Sequence, residues 1–186
     1  KLIIVDGGSN DKTFEIAKKY TEFAYISEKG MAKQMKCGLN LVNSKYVFIA
    51  ECDHIYPINF LEDLKNELEF TSWDGIQGTV DVSNPKTIWE RGHKAFYKVH
   101  QLEKGERNII ASPMLWKSES FKILMNNITG GDSYCFDTQR AEISKNLGLV
   151  VGLGNTIAYE NQLIDFKKFI TRHINYGKGD YDFYVH

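Results

Sequence analysis

The sequence predicts an α/β domain, a mostly parallel sheet flanked by helices and folded as one unit. Three observations carry this. Short β-branched runs alternate with segments of helical periodicity through the first half, and strands joined by helices imply right-handed crossovers that leave the strands parallel. Acidic residues stand at the ends of two of those strands, where open α/β sheets bind ligands. The 186 residues, 42% hydrophobic and 25% charged, suffice for one core without staples and exclude a disordered or low-complexity chain.

Taken in order, Leu2–Val5 reads as a buried strand that runs into Asp6, and Asp11 is placed to cap a helix over Lys12–Tyr20. Phe23–Ile26 is the second strand. Met31, Met35, Leu39 and Val42 recur at helical spacing, and Tyr46–Ala50 follows as a strand ending in Glu51-Cys52-Asp53. Pro57 opens a helix with Phe60, Leu61, Leu64 and Leu68 on one face, and Gly75–Val80 is a further strand. The second half is less regular. Ile88–Leu102 reads as a helix bearing Trp89, Phe96 and Val99, and Ile109–Trp116 as a strand that turns at Pro113. Asp137–Leu147 and Leu163–Ile174 read as helices. Loops are expected from Val80 through Asn84 to Pro85 and at Thr129-Gly130-Gly131-Asp132. No internal repeat or long linker divides the chain.

Lys and Arg number 23 against 24 Asp and Glu, a formal charge of −1, which argues against a protein that coats nucleic acid. The longest apolar runs, Tyr46–Ala50 and Leu147–Leu153, fall far short of the ~20 residues of a membrane helix. Lys1-Leu2-Ile3-Ile4-Val5 carries no secretory signal. Cys37, Cys52 and Cys135 are odd in number and form no C-x-x-C pair, so neither a disulfide framework nor a zinc site is expected, and the expected setting is the reducing cytoplasm.

Two segments bear chemistry. In Val5-Asp6-Gly7-Gly8-Ser9-Asn10-Asp11-Lys12-Thr13, a carboxylate at a strand end, two glycines and a polar helix start make a turn that lets a ligand approach the backbone. A plain strand–helix turn with a good cap explains the same residues. In Phe48-Ile49-Ala50-Glu51-Cys52-Asp53-His54, acids at i and i+2 after a buried strand suit a hard divalent cation, which takes carboxylate oxygens together with substrate phosphates. Two acids solvated at a strand end, or capping the helix after Pro57, are the alternative.

Together, VDGGSNDKT, Gly30 and Gly38 in the second helix, and YVFIAECDH with a Pro shortly after resemble the family 2 nucleotide-sugar glycosyltransferases of the GT-A fold, a Rossmann-like domain. The resemblance implies one GT-A domain, with residues 1–84 as the nucleotide-sugar half and residues 85–186 as the acceptor and catalytic-base half. It implies that Asp6 faces the nucleotide base or ribose, with Gly7 where many relatives have a second Asp. Glu51 and Asp53 take the two acidic positions of a DxD-type motif, here ExD. Asp53 is then the direct ligand of Mn²⁺ or Mg²⁺, and Glu51 lies on the ribose or a metal-bound water. His54 is an extra ligand or an ordinary exposed histidine. Lys33 and Lys36 would neutralise the donor diphosphate, although lysines at helical spacing also make a solvated face. Asp137, eleven residues before Gly148, matches the catalytic acid of an ED-type motif whose first position here is Phe136. Asp137 would be the general base, with Asp132 the competitor and a helix N-cap the structural alternative. The tail Arg172-His173-Ile174-Asn175-Tyr176-Gly177-Lys178-Gly179 resembles the basic, aromatic segment that closes such domains; a helix stopped by Gly177 explains it equally. Trp89, Tyr97 and Trp116 would stack on sugar or fill the core.

The implied activity is metal-dependent, inverting transfer from a UDP- or GDP-sugar to a glycan, lipid or protein hydroxyl, in the cytoplasm or at the membrane periphery. A nucleotidyltransferase of similar architecture would instead release pyrophosphate. A non-catalytic sugar-nucleotide or glycan-binding module would bind donor with metal but never transfer.

Overall fold

The computed structural model describes residues 1–107, 111–129, 136–161 and 165–185. β1 (Ile4–Asp6) leads to α1 (Thr13–Tyr20) and β2 (Ala24–Ile26), which pairs parallel to β1. Asp11 sits one residue ahead of the cap position, and its carboxylate accepts the Thr13 N–H at 2.9 Å. α2 (Met31–Leu39) follows Gly30, whose φ of +137° favours glycine. Leu39 is buried and Met35 packs on the core, whereas Met31 is exposed. β3 (Tyr46–Ile49) runs out into the acids, followed by β4 (His54–Ile55), α3 (Phe60–Glu69) and β5 (Gly75–Val82). Phe60, Leu64 and Leu68 bury α3 against the sheet, while Leu61 faces outward.

The second half adds α4 (Ile88–His100), β6 (Gly105–Arg107), β7 (Met114–Lys117), α5 (Ser118–Asn127), α6 (Phe136–Asn146), β8 (Val151–Glu160) and α7 (Phe166–Val185). Thr87 and Glu90 close a capping box at the start of α4. Gly177 does not stop the last helix. α7 runs through Gly177 and Gly179, because an interior glycine costs a helix only about 1 kcal/mol when other contacts hold it. None of the described helices is long and apolar enough to cross a membrane.

The α/β class holds, and the strand directions are mixed rather than mostly parallel. The larger sheet has the order β3-β7-β5-β8-β4, with β6 also on β8. β7 enters antiparallel between β3 and β5, and only β5 and β8 pair parallel within this sheet. The rule of sequential crossovers missed this because β7 comes from far along the chain. Met114 and Trp116 point to one side, where α2, α5 and α6 supply Leu39, Phe121, Leu124 and Phe136. Leu115 points to the other, against Phe60, Leu64 and Leu68 of α3. A strand buried on both faces at the centre of the sheet thus fixes a helical layer on each side.

β8 contains glycines for steric reasons. A Cβ at Gly152 would lie 2.1 Å from the Trp73 ring, and one at Gly154 would lie 2.8 Å from the Glu67 carboxylate. The ladder slips between Gln77 and Thr79. There Glu67 accepts the N–H groups of Asn155 (2.6 Å) and Thr156 (2.8 Å). The α3 carboxylate therefore satisfies backbone donors that the irregular ladder leaves over.

Candidate active site

The chain crosses from β3 to β4 through Glu51-Cys52-Asp53, and register decides what meets these acids. Ile49 pairs with Met114, so the antiparallel β7 brings Ser112 opposite Glu51, and its hydroxyl bonds the carboxylate. His54 pairs with Glu160, and the Asn161 N–H donates to the Asp53 carbonyl at 2.9 Å, so the end of β8 lies beside the same segment. One ligand atom each from Glu51, Asp53 and His54 falls within 4.8 Å of the others. His54 is not an exposed histidine. Its side chain is 4% accessible, with Nδ1 2.9 Å from Asp53 Oδ1 and 3.8 Å from Glu51 Oε2. Its Nε2 is buried with no hydrogen-bond partner. Tyr56 Oη accepts the Glu51 N–H at 3.0 Å, and burial pushes the phenol up to about 12.

The Glu51 carboxyl is held above the usual carboxylate range. Crowding by protein atoms is the first cause, and the charges of Asp53 and Asp137 add to it against His54 and Ser112. The side chain remains 45% accessible, which moderates the effect.

Asp6 is buried at the end of β1 and turned into its own loop. It accepts from the N–H groups of Gly8 (3.1 Å) and Ser9 (2.8 Å) and from the Ser9 hydroxyl. These bonds, the hydroxyl first, hold its carboxyl below the ordinary range. Gly8 turns the chain with φ +84°. A Cβ on Gly7 would come within 3.1 Å of Gln34, whose amide donates to the Val5 carbonyl, so α2 closes tightly on this turn. Lys33 is paired with Glu28 at 3.0 Å, and Lys36 donates to the Ile128 carbonyl at 2.8 Å, which fastens α2 to the end of α5.

Asp137 lies in the first turn of α6, inside the helix rather than at its cap. It forms an ion pair with Arg140, whose guanidinium is fully buried and stacks on Phe136, 4.9 Å from the ring centroid. The charge of Asp137 acts on both Glu51 and Tyr176, a smaller contribution to each than burial. Asp132 and Cys135 lie outside the described residues, as do Gly130 and Gly131. Cys52 is exposed between the two acids, and Cys37 is half-buried in α2. Trp116 is core, and Trp89 packs between Phe166 and Phe169, 5.1 Å from each, leaving neither ring at the acids.

The sequence reading overlooked a buried array next to the acids. Glu160, 3% accessible, meets His93 Nε2 at 3.0 Å and Arg172 Nη1 at 3.7 Å, and Tyr97 hydrogen-bonds it. Burial works to raise its carboxyl, but His93, Tyr97 and Arg172 outweigh burial and hold it low. Tyr97 is correspondingly raised, by burial first and then by the Glu160 charge. Tyr176 is raised by burial, with Asp137, Glu160 and Glu51 adding to it. One signal was available: His93 and Tyr97 stand four apart on one helix and Arg172 and Tyr176 four apart on another, so each pair shares a helix face.

The profile of glycosyl transferase family 2 matches residues 1–141. No curated protein matches in sequence. Among solved structures, S. aureus TarS residues 1–349 in complex with UDP-GlcNAc is similar with a TM-score of 0.61 at 14% identity, over 89% of this chain and 50% of that one. Glucosyl-3-phosphoglycerate synthase from Mycobacterium tuberculosis, in complex with Mn²⁺ and UDP-glucose, is similar with a TM-score of 0.62 at 14% identity, over 97% of this chain and 67% of that one. The chain thus spans half to two thirds of the length of these structures, which share its fold.

Proposed function

The chain belongs to glycosyl transferase family 2, and on that premise we propose that it moves a sugar from a nucleoside diphosphate to an acceptor hydroxyl with inversion at the anomeric carbon. The observation that carries this reading is the strand-end cluster, in which one ligand atom each from Glu51, Asp53 and His54 lies within 4.8 Å of the others. The Asp137 charge also acts on Glu51, which places a carboxylate base in the field of that cluster.

Asp53 and Glu51 hold the divalent cation, with the His54 imidazole beside them. The donor set fits: two hard carboxylates suit Mn²⁺ or Mg²⁺, and His54 turns Nδ1 toward both of them. When bound, the cation supplies positive charge against the diphosphate as it departs. Asp6 serves the donor by ordering its turn, with Gly7 leaving the backbone open to the nucleotide. Lys33, paired with Glu28 at the surface, would offer its ammonium to a donor phosphate, whereas Lys36 acts through α2 by its bond to Ile128. Residues 1–84 form the donor half and residues 85–186 the acceptor half. The UDP-sugars in both structural neighbours support a UDP-linked donor.

Asp137 takes the proton of the acceptor hydroxyl as that oxygen attacks the anomeric carbon from the face opposite the leaving group. Arg140 holds the carboxylate in place from beneath, and Tyr176 of α7 flanks it. The acceleration comes from positioning and from charge placed against an oxocarbenium-like transition state. Calorimetric titration with UDP-sugars and Mn²⁺, paired with a UDP-release assay on Asp137→Asn, tests the reading. Donor binding is retained and turnover drops roughly 10²–10⁴-fold, the usual share of a general base. Unchanged turnover removes Asp137 from the mechanism.

A further inference from the structure

α4 and α7 pack side by side, joined where Trp89 sits against Phe166 and Phe169 and where Arg172 approaches His93 at 3.5 Å. The inner face of α4 is settled by Glu90 and Gln101, both buried, the latter exchanging hydrogen bonds with the Val80 backbone at 2.7 and 3.0 Å. On the outer face, Ile88, Gly92, Ala95, Val99 and Leu102 recur at helical spacing and are all exposed. Ile88, Phe96, Val99 and Leu102 keep 51–69% of their surface accessible. α7 repeats the pattern with Phe166, Ile170 and Ile174, four residues apart and 40–58% accessible. An amphipathic helix that belongs only to the domain core turns its apolar stripe inward. These two neighbouring helices turn apolar stripes outward.

Cations predominate on this face. Arg91 and Lys98 of α4 and Lys167, Lys168 and Lys178 of α7 are exposed, the one acid within Ile88–His100 is the buried Glu90, and the other acids of this region, Glu103, Asp165, Asp180 and Asp182, fall at or beyond the helix ends in sequence. The chain as a whole is close to neutral, so this face concentrates cations. A two-fold contact between copies through this face would set the same cationic rims against each other. An anionic surface with an apolar interior satisfies both features at once. We propose that the α4–α7 face docks this protein on an anionic lipid surface, its apolar stripes entering the acyl boundary and its Lys and Arg side chains reaching the headgroups.

Co-sedimentation of the whole chain with vesicles tests this, using phosphatidylcholine alone and phosphatidylcholine mixed equally with phosphatidylglycerol. Binding is expected to the mixed vesicles only and to weaken as salt is raised. Arg91→Ala with Lys98→Ala and Lys167→Ala is expected to lower the partition coefficient about a hundredfold, since each surface cation is worth roughly a factor of five. Val99→Asp with Ile174→Asp is expected to abolish binding and leave the circular-dichroism melt unchanged, because both side chains are exposed. Binding to neither vesicle, or equally to both, overturns the proposal. So does sedimentation velocity in which the wild type is a dimer and the double aspartate variant a monomer, which gives the face to a second copy.

Discussion

Glu160→Gln removes one negative charge from the buried array while keeping the shape of the side chain and an acceptor for Tyr97. The carboxylate is 3% accessible and faces His93 and Arg172, whose side chains are 14% and 26% accessible. Breaking a buried ion pair from one side costs about 3–5 kcal/mol. His93 and Arg172 keep some contact with water, so the lower end applies, about 3 kcal/mol. For a domain of this length each kcal/mol moves the melting temperature by about 2–4 °C, so Glu160→Gln should melt about 6–12 °C below the wild type at pH 7. The sign against pH follows from the depressed carboxyl: its contribution is fully present above the unfolded-state value near 4.5 and is lost as pH falls through the lower folded-state value. Urea melts of both proteins between pH 7 and pH 4 check this. The gap in unfolding free energy should be constant down to about pH 4.5 and shrink below it. A gap under about 1 kcal/mol at pH 7 would refute the view that Glu160 anchors α4 and α7, because it would put the array within the range of surface pairs.

Four further predictions concern the site and the sheet. Asp53→Ala should abolish the Mn²⁺-dependent thermal shift given by a UDP-sugar, which at 100 times its dissociation constant is worth about 2.7 kcal/mol in the wild type. Glu51→Gln should raise the melting temperature of the metal-free protein slightly, because a carboxyl held above its usual range is ionised at neutral pH against its surroundings; a lower melting temperature contradicts this. By the same sign, calorimetric Mn²⁺ affinity in the wild type should fall as pH drops through the Glu51 titration, since the bound form needs the carboxylate. Gly152→Ala should destabilise by about 1–3 kcal/mol or more, because its Cβ would lie 2.1 Å from the Trp73 ring; a neutral melt would mean that the ring moves freely.

How much of this was legible in the sequence depended on the distance over which each signal acts. β1, β2, β3 and β5 and the helices between them are marked by local alternation, and they emerged close to their observed bounds. The strand-end acids and the VDGGS turn were equally local. β8 was not read as a strand because Gly152 and Gly154 resemble loop punctuation, and the reason for them, the Trp73 ring and the Glu67 carboxylate, lies far away in sequence. α5 was missed beside the conspicuous apolar run of β7, although Phe121, Leu124 and Met125 mark its buried face. β3, β5 and β8 run in one direction as helical crossovers require, but β7 enters antiparallel between β3 and β5, and nothing in a single sequence orders strands that are not neighbours in the chain. Of the two readings open for His54, the exposed one fails, and the pairing with Glu160 that buries its side chain is itself long-range.

That same long-range pairing sets the end of β8 beside the strand-end acids. The first half brings acids to the end of β3 and leaves them mutually repelling, with one ligand atom of each inside 4.8 Å of the next. The second half responds by three separate routes. β7 brings Ser112 against Glu51, β8 places Glu160 next to His54, and α6 adds Asp137. Ser112 eases the charge on Glu51, whereas Asp137 adds to it. His93 and Arg172 neutralise Glu160, while Asp137 is balanced by Arg140 from within its own helix. Each outer acid therefore faces its own cation, whereas Glu51 and Asp53 set two carboxylates around the His54 Nδ1, 3.8 and 2.9 Å away. Two carboxylates and an imidazole brought this close form an oxygen-rich set on which a divalent cation, and the phosphates it carries, would gain.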